Sequence, residues 1–264
     1  MSALPYFPFA TPRYEMKIGA VPLGPTDRIF ERGTNFAEEM ALKRACLAYD
    51  ARYYCQALPG SEAAQAEVAA LVGAVGAGIA AAGDCVQEDL LLLDAQQPGL
   101  PLVAGHLCFA NAWCLDEKIG KPFLAIHGPV PGFASSIGPG SEKLLMRLQP
   151  GRAVSRLNWA VKSSGQLDLT SRWDEQVREW NALVDADNAG ERCWMRVERQ
   201  TLSRLPQSEA ILFTVRTYTA PVAQLAVEQR ELLRGVLQSC PEEMLRYKGI
   251  LAFAAPLLRY LSLQ

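Results

Sequence analysis

The feature that most limits the fold is a pair of strand-like segments in the C-terminal half of the chain. The segments CWMRVERQTLSRL and EAILFTVRTYTA have the length and composition of strands, and LPQSEA at residues 205–210 separates them as a turn. This arrangement predicts an antiparallel hairpin. Three further runs, DLLLLD, LPLVAGHLCFA and AVSRLNWAV, have similar strand character, so we expect an antiparallel sheet of about five strands.

Helical segments precede the strands. Residues 1–33 combine prolines with aromatic residues, which predicts an extended arm. Asn35 can cap a helix that ends at Pro59, because apolar side chains recur between them at helical spacing. An alanine-rich segment that begins at Ser61 predicts a second helix, ending near Gly83.

Helices also interrupt and follow the sheet. Short helical pieces, LDEKIG, PFLAIHG and SEKLLMRL, lie between the second and third strand-like runs, and Ser141 can cap the last of them. Helix returns from Pro241 and is interrupted at Gly249. Helices, a sheet and then helices again indicate the α+β class. We predict that residues 1–83 form the arm and two helices packed on the core, that residues 84–264 contain the sheet and C-terminal helices, and that both form one compact unit.

Composition and cysteine spacing exclude several functions. The 264 residues have a formal charge of −2 and scattered basic residues, which argues against nucleic-acid binding. The longest uncharged stretch, residues 68–83, is too short and too rich in alanine and glycine to cross a membrane. Seven widely spread cysteines without CxxC spacing or a secretory leader predict free thiols in a reducing, cytoplasmic setting.

The chain contains only two histidines, and their contexts differ. His106 lies within an apolar strand, which favours a buried histidine bonded to the backbone. His127 ends a very short apolar helix between Pro122 and Gly128-Pro129, so its imidazole is held on a stiff support. Two interpretations of His127 stay open at this point: it satisfies terminal carbonyls, or it is the axial ligand of a haem, whose porphyrin supplies the other ligands.

The predicted hairpin has polar side chains on both faces. Arg196, Glu198 and Gln200 alternate on one face of its first strand, and Arg216 and Tyr218 share a face of the second. A solvated hairpin would account for this pattern. The apolar residues of AILFTV favour instead an internal pocket lined by some of these polar groups.

Several linked motifs identify a resemblance. The segments VAGHLCFANAWCLDEKIGKPFLAIHGPVPGF, RLNWAV, MRVERQTLSRLP, AILFTVRTY and YKG resemble, in order and spacing, the α subunit family of haem-dependent oxidative N-demethylases. The similarity runs from about Arg13 to the C-terminus. It implies a PAS-like sheet flanked by short helices, haem b, and oxidation of dimethylamine by dioxygen to methylamine and formaldehyde. It also implies a separate reductase component that carries FMN and a 2Fe-2S cluster and supplies electrons from NADPH.

The resemblance also implies roles for particular residues. His127 would be the proximal ligand of the haem iron. Glu198 and Tyr218 are candidates for the distal pocket, with Tyr247 as the alternative to Tyr218. A carboxylate there can hold a dialkylammonium ion, and a tyrosine can donate a hydrogen bond or relay a proton. The candidate partners of the haem propionates are Arg199, Arg216 and Lys248. A haem-based gas sensor on the same fold and a haem-free interaction module remain the alternative functions, because fold does not determine function.

Overall fold

The protein is described by a computed structural model over residues 4–263. A mixed α+β architecture is confirmed: one sheet of seven strands is packed between helices in this part of the chain. The strands are β1 (Val21–Pro22), β2 (Cys55–Ala57), β3 (Asp89–Leu93), β4 (Leu102–His106), β5 (Val154–Lys162), β6 (Trp194–Arg204) and β7 (Ile211–Pro221). Their order in the sheet is β1-β5-β6-β7-β3-β4-β2, and each neighbouring pair is antiparallel.

The predicted hairpin is confirmed and forms the centre of the sheet. Strands β6 and β7 pair along eleven residues each, from Trp194 opposite Pro221 to Arg204 opposite Ile211. The five strand-like runs of the sequence all become strands. The count of about five was nevertheless wrong, since β1 and β2 add two edge strands of two and three residues. Strands this short contain too few residues for an alternating pattern.

Ten α-helices surround the sheet in residues 4–263. They are α1 (Phe36–Tyr54), α2 (Glu62–Leu71), α3 (Ile79–Gly83), α4 (Phe123–Ile126), α5 (Gly138–Arg147), α6 (Asp174–Ala182), α7 (Ala189–Arg192), α8 (Val227–Ser239), α9 (Glu242–Tyr247) and α10 (Ala254–Ser262). Short 3₁₀ turns occur at Leu115–Glu117, Ser171–Trp173, Val222–Gln224 and Leu251–Phe253. None of the helices in the described range has both the length and the apolar character needed to span a bilayer.

Several helix boundaries differ from the sequence-based expectation. The alanine-rich segment forms α2 and α3 with a break between them, because Gly73 and Gly76 adopt positive φ angles of 69° and 121° that end a helix. Helix α5 begins at Gly138, so Ser141 lies inside it and does not cap it. Helix returns at Val227 in α8, earlier than the predicted Pro241.

The sheet separates two apolar regions. On one face, Leu90, Leu92 and Ala104 pack with Ile79 and Ala82 of α3. On the other face, apolar side chains of the sheet meet the segment that contains α4 and α5. These side chains include Leu91, Leu93, Leu102, Leu202 and Phe213. The packing between this second face and that segment is incomplete and leaves part of a cavity.

Candidate functional site

A cavity of about 960 Å³ lies between the sheet, the segment from β4 to α5, the N-terminal arm and the last helices. This volume is at the upper end of the range typical of small-molecule and cofactor sites. Its walls are mostly apolar and include Leu91, Leu107, Phe109, Ile126, Val130, Phe133, Leu145, Leu202, Phe213 and Val215. Polar and charged side chains also line these walls, among them His127 and Glu198. The cavity therefore suits a large ligand that combines an apolar body with polar or charged groups.

His127 lies in the wall of the cavity and is fixed from three sides. Its Nδ1 lies 2.8 Å from the carbonyl oxygen of Phe123, and its ring stacks on Phe133 at 4.6 Å and contacts the Phe123 ring at 4.5 Å. A carbonyl oxygen can only accept a hydrogen bond, so Nδ1 must be protonated. In a neutral ring, Nε2 then has a free lone pair, which is the arrangement that a metal-binding histidine requires.

The local sequence produces this arrangement directly. Pro122 precedes α4 in extended conformation, the helix has only four residues, and His127 is its C-terminal cap. The backbone N–H of Gly128 then bonds to Ala125 and that of Val130 to His127, which turns the chain away from the helix. The two interpretations of His127 are thus compatible. Nδ1 bonds to the helix-end carbonyl of Phe123, and Nε2 is available as a ligand.

The electrostatic environment keeps His127 neutral. Burial lowers the pKa of His127 from 6.5 to about 4, the hydrogen bond to Phe123 opposes this shift, and the positive charges of Lys118 and Arg156 lower the pKa further. The pKa of the second histidine, His106, is also well below its usual value because of burial and the charge of Lys43. A proton therefore does not compete for Nε2 of His127 at neutral pH.

We expect neither histidine of the ligand-free protein to titrate between pH 5 and 8, and His127 to take up a proton only as the pH falls through about 4. Nitrogen-15 NMR of the two imidazoles measures this directly. The spectrum at pH 7 should show His127 protonated at Nδ1 and bare at Nε2. A His127 signal that titrates near pH 6.5 would contradict the hydrogen-bonded, buried ring described here.

Glu198 contributes the carboxylate of the cavity. Its Oε2 accepts hydrogen bonds from Asn158 Nδ2 at 3.1 Å and Gln200 Nε2 at 3.0 Å, and its Oε1 lies 3.5 Å from Arg196 Nε. Only 9% of the residue is exposed. The two amides and the Arg196 guanidinium hold the carboxylate in place in the cavity wall.

Tyr247 and Lys248 also line the cavity. Tyr247 is 44% exposed, and the partial burial of its hydroxyl and the charge of Glu198 both raise the pKa of this hydroxyl, so it stays protonated and can donate a hydrogen bond. Lys248 is already bonded: its Nζ donates to the carbonyl of Trp159 at 2.7 Å and lies 4.5 Å from the centre of the Trp159 ring. Burial lowers its pKa to about 8.

The structure does not bring Tyr218 and Arg216 to the cavity, because the strand register places both on the other face from Glu198. Glu198 pairs with Thr217, whereas Tyr218 pairs with Val197. The Tyr218 hydroxyl donates to Glu31. The Arg216 guanidinium binds Glu39 of α1 through contacts of 2.5 and 3.3 Å. The expectation that these two side chains face the ligand therefore has no support in the geometry.

Arg199 borders the cavity, and two of its guanidinium nitrogens have partners, whereas its buried Nη1 has no hydrogen-bond partner within residues 4–263. Nη2 donates to the Arg28 carbonyl at 2.7 Å, and Nε lies 3.4 Å from the Glu31 carboxylate. The same carboxylate accepts hydrogen bonds from Tyr6 and Tyr218. Arg199 thus ties the N-terminal arm to the sheet.

A second group of potential metal ligands lies beside the cavity. Atoms of Asp89, His106 and Cys108 that can bind a metal are within 4.8 Å of one another. Both Asp89 oxygens accept backbone hydrogen bonds, from Cys108 and Phe109 at 2.8 Å. The positive charge of Lys43 acts on both Asp89 and His106, so it would repel a metal cation bound between them. His106 itself does not line the cavity. Its ring packs against Gly83, where an added Cβ would lie 2.3 Å from it.

Sequence reasoning missed several polar residues of the cavity, among them Lys118, Arg156 and Asn158. Arg156 and Asn158 alternate in β5 and pair with Gln200 and Glu198, so they share the polar face of β6. The alternation of Arg156 and Asn158 within VSRLNWAVK was the signal available in the sequence. It identifies them as cavity residues only when the pairing of β5 with β6 is known.

A comparison with known families gives a match. A family described as haem-dependent oxidative N-demethylase, alpha subunit-like, matches residues 77–258, which include every strand from β3 onward, His127 and Glu198. The match extends over more than half of the 264 residues. The chain belongs to the haem-dependent oxidative N-demethylase, alpha subunit-like family.

Proposed function

We propose that this protein binds haem b through Nε2 of His127 and catalyses the oxidative N-demethylation of a small secondary amine, with dimethylamine as the substrate. The observation that carries the proposal is the geometry of His127: a neutral imidazole, fixed by the Phe123 carbonyl and the Phe133 ring, borders a large apolar cavity. The residues present fit a haem, because the cavity combines one nitrogen ligand, apolar walls and buried cations.

The PAS-like architecture is part of the same proposal. The consecutive neighbours β5-β6-β7-β3-β4 form an antiparallel sheet, and the helices from Leu115 to Arg147 lie between β4 and β5. This strand order, with short helices beside the sheet, supports the proposed PAS-like architecture. The haem would lie between that sheet and α4.

Glu198 and Tyr247 would act on the substrate. A secondary amine is protonated at neutral pH, and the Glu198 carboxylate can accept a charge-assisted hydrogen bond from it. The two Glu198 partners, Asn158 and Gln200, keep the carboxylate in position. The protonated Tyr247 hydroxyl can donate a hydrogen bond or pass a proton to a reacting group. Apolar walls exclude water, which strengthens both interactions.

When bound, haem supplies the activation of dioxygen: with two electrons and two protons, one N-methyl group leaves as formaldehyde, methylamine remains, and the second oxygen atom leaves as water. The electrons would come from NADPH through a partner reductase with FMN and a 2Fe-2S cluster. A histidine ligand donates less electron density than a thiolate, so the polar residues of the cavity must contribute more to the reaction.

The direct test is the purified protein with haem, dimethylamine, dioxygen and a chemical or enzymatic reductant. We expect a Soret band and stoichiometric release of formaldehyde and methylamine. A protein with a Soret band that binds gas tightly but forms no product would instead be a haem sensor. A protein without a Soret band would contradict the proposed cofactor.

We predict that Glu198→Gln raises the KM for dimethylamine by about 10- to 100-fold, because a charged partner of the ammonium becomes neutral. Formaldehyde release over a range of amine concentrations measures the effect. Glu117→Gln is the matched control, since Glu117 also borders the cavity but is exposed and bonds to Ser171. An unchanged KM in Glu198→Gln, with an unchanged haem spectrum, would reject the role of Glu198.

A further inference from the structure

The cationic side chains that border the cavity differ in whether they are already bonded. Lys17 is exposed and pairs with Glu15 at 2.9 Å. Lys248 donates to the Trp159 carbonyl, and Arg199 to Glu31 and Arg28. Arg13 is exposed. The two remaining cationic side chains of the cavity wall are Lys118 and Arg156, and both are only partly exposed to solvent.

Arg156 projects from the β5 position that pairs with Gln200, on the face that also carries Glu198. Its Nε is buried and has no hydrogen-bond partner. Within residues 4–263 the guanidinium makes no hydrogen bond and no ion pair. The closest candidate, the Glu198 carboxylate, is already bonded to Asn158, Gln200 and Arg196.

Lys118 also lines the cavity. It follows the 3₁₀ turn Leu115–Glu117, and its Nζ lies 3.9 Å from the centre of the Trp113 ring. In the described part of the chain its ammonium has this cation-π contact and neither a hydrogen-bond acceptor nor an anionic partner within ion-pair distance. Both side chains act electrostatically on His127. Lys118, Arg156 and His127 line the same cavity.

Buried cations without an anion are unfavourable, because the lost hydration is not replaced. Lys118 and Arg156 are partly buried beside one cavity without an ion-pair partner in the described residues, so an anionic ligand there would add to the negative charge of Glu198 and Glu117 that already acts on them. Haem has two propionate carboxylates, and planar guanidinium and ammonium groups both bind carboxylates well. We propose that Arg156 and Lys118 hold the two propionates of the haem. This inference rests on the proposed haem ligation by His127. It assigns the propionates to Arg156 and Lys118 instead of Arg216, Arg199 and Lys248.

The test compares haem with haem dimethyl ester, in which both propionates are neutral. Soret titrations give the affinity of the wild-type protein, Arg156→Gln, Lys118→Gln and the control Lys17→Gln for each compound. We expect each of the first two variants to bind haem about 10- to 100-fold more weakly than the wild type does. The wild type and all variants should bind the ester with equal affinity, and Lys17→Gln should bind haem as the wild type does.

Two further measurements separate charge from folding. Arg156→Lys should recover most of the haem affinity, because it restores a cation. Urea unfolding of ligand-free Arg156→Gln should give a midpoint at or above that of the wild type, since an unpaired buried charge has been removed. A lower midpoint would identify Arg156 as a structural residue and overturn the proposal.

The remaining outcomes are decisive as well. Unchanged haem affinity in Arg156→Gln and Lys118→Gln, with a wild type that binds haem through His127, would overturn this inference alone. Equal losses for haem and its ester would also overturn it, because the effect would not depend on the propionate charge. A wild type that binds no haem would reject the proposed function and the inference together.

Discussion

His127→Gly is expected to lower the affinity for haem by about 100-fold or more and to abolish formaldehyde release. The variant removes the nitrogen that would bind iron, while the apolar cavity and the cations around it remain. Glycine also leaves a space beside Phe133, where the imidazole stacked. Added imidazole should occupy this space and restore part of the haem spectrum. Absorption spectra with and without imidazole measure both effects.

The control for this prediction is the second histidine. His106 is completely buried and packs against Gly83, away from the cavity lining. His106→Gln should therefore keep the Soret band position of the wild type. The ligand assignment fails if His127→Gly retains the wild-type spectrum, or if His106→Gln loses it while folded.

Arg216→Met is expected to lower the free energy of unfolding by about 3–5 kcal/mol, because it leaves the Glu39 carboxylate buried without its partner. Arg216 and Glu39 are 1% and 3% exposed, and their closest contact is 2.5 Å. The pair joins strand β7 to helix α1. Urea unfolding of the ligand-free variant measures the change.

An exposed ion pair provides the comparison. Arg246 and Glu242 form a contact of 2.6 Å with side chains 68% and 70% exposed, so Arg246→Met should change the free energy of unfolding by less than about 1 kcal/mol. Folded Arg216→Met should bind haem with the affinity of the wild type. Weaker haem binding by folded Arg216→Met would show that the residue acts on the ligand after all.

The hairpin and its strand runs were predictable because local patterns specify them. Eleven-residue strands contain enough alternation to be recognised, and the turn residues mark where they end. The edge strands β1 and β2 were not predictable, since two or three residues contain no pattern. The break between α2 and α3 was not predictable either. Gly73 and Gly76 adopt positive φ angles there, but the surrounding alanines favour a continuous helix.

The candidate site was only partly predictable for a related reason. Both faces of β6 and β7 carry polar residues, and alternation alone does not show which face meets the ligand. Glu198 and Tyr218 were both candidates for the pocket, the sequence left open whether they face one cavity, and the register places them on opposite faces. Lys118 and Arg156 come from a loop and from β5, which meet only when the chain folds.

By itself, the sequence determined the α+β class, the central hairpin and the stiff support of His127, because each depends on residues that are close along the chain. The tertiary structure alone decided which charged residues are paired with one another. Arg216 binds Glu39 of α1, 177 positions away, while Arg156 Nε has no hydrogen-bond partner within residues 4–263. Pairing depends on distances between remote segments, and local pattern contains no information about those distances.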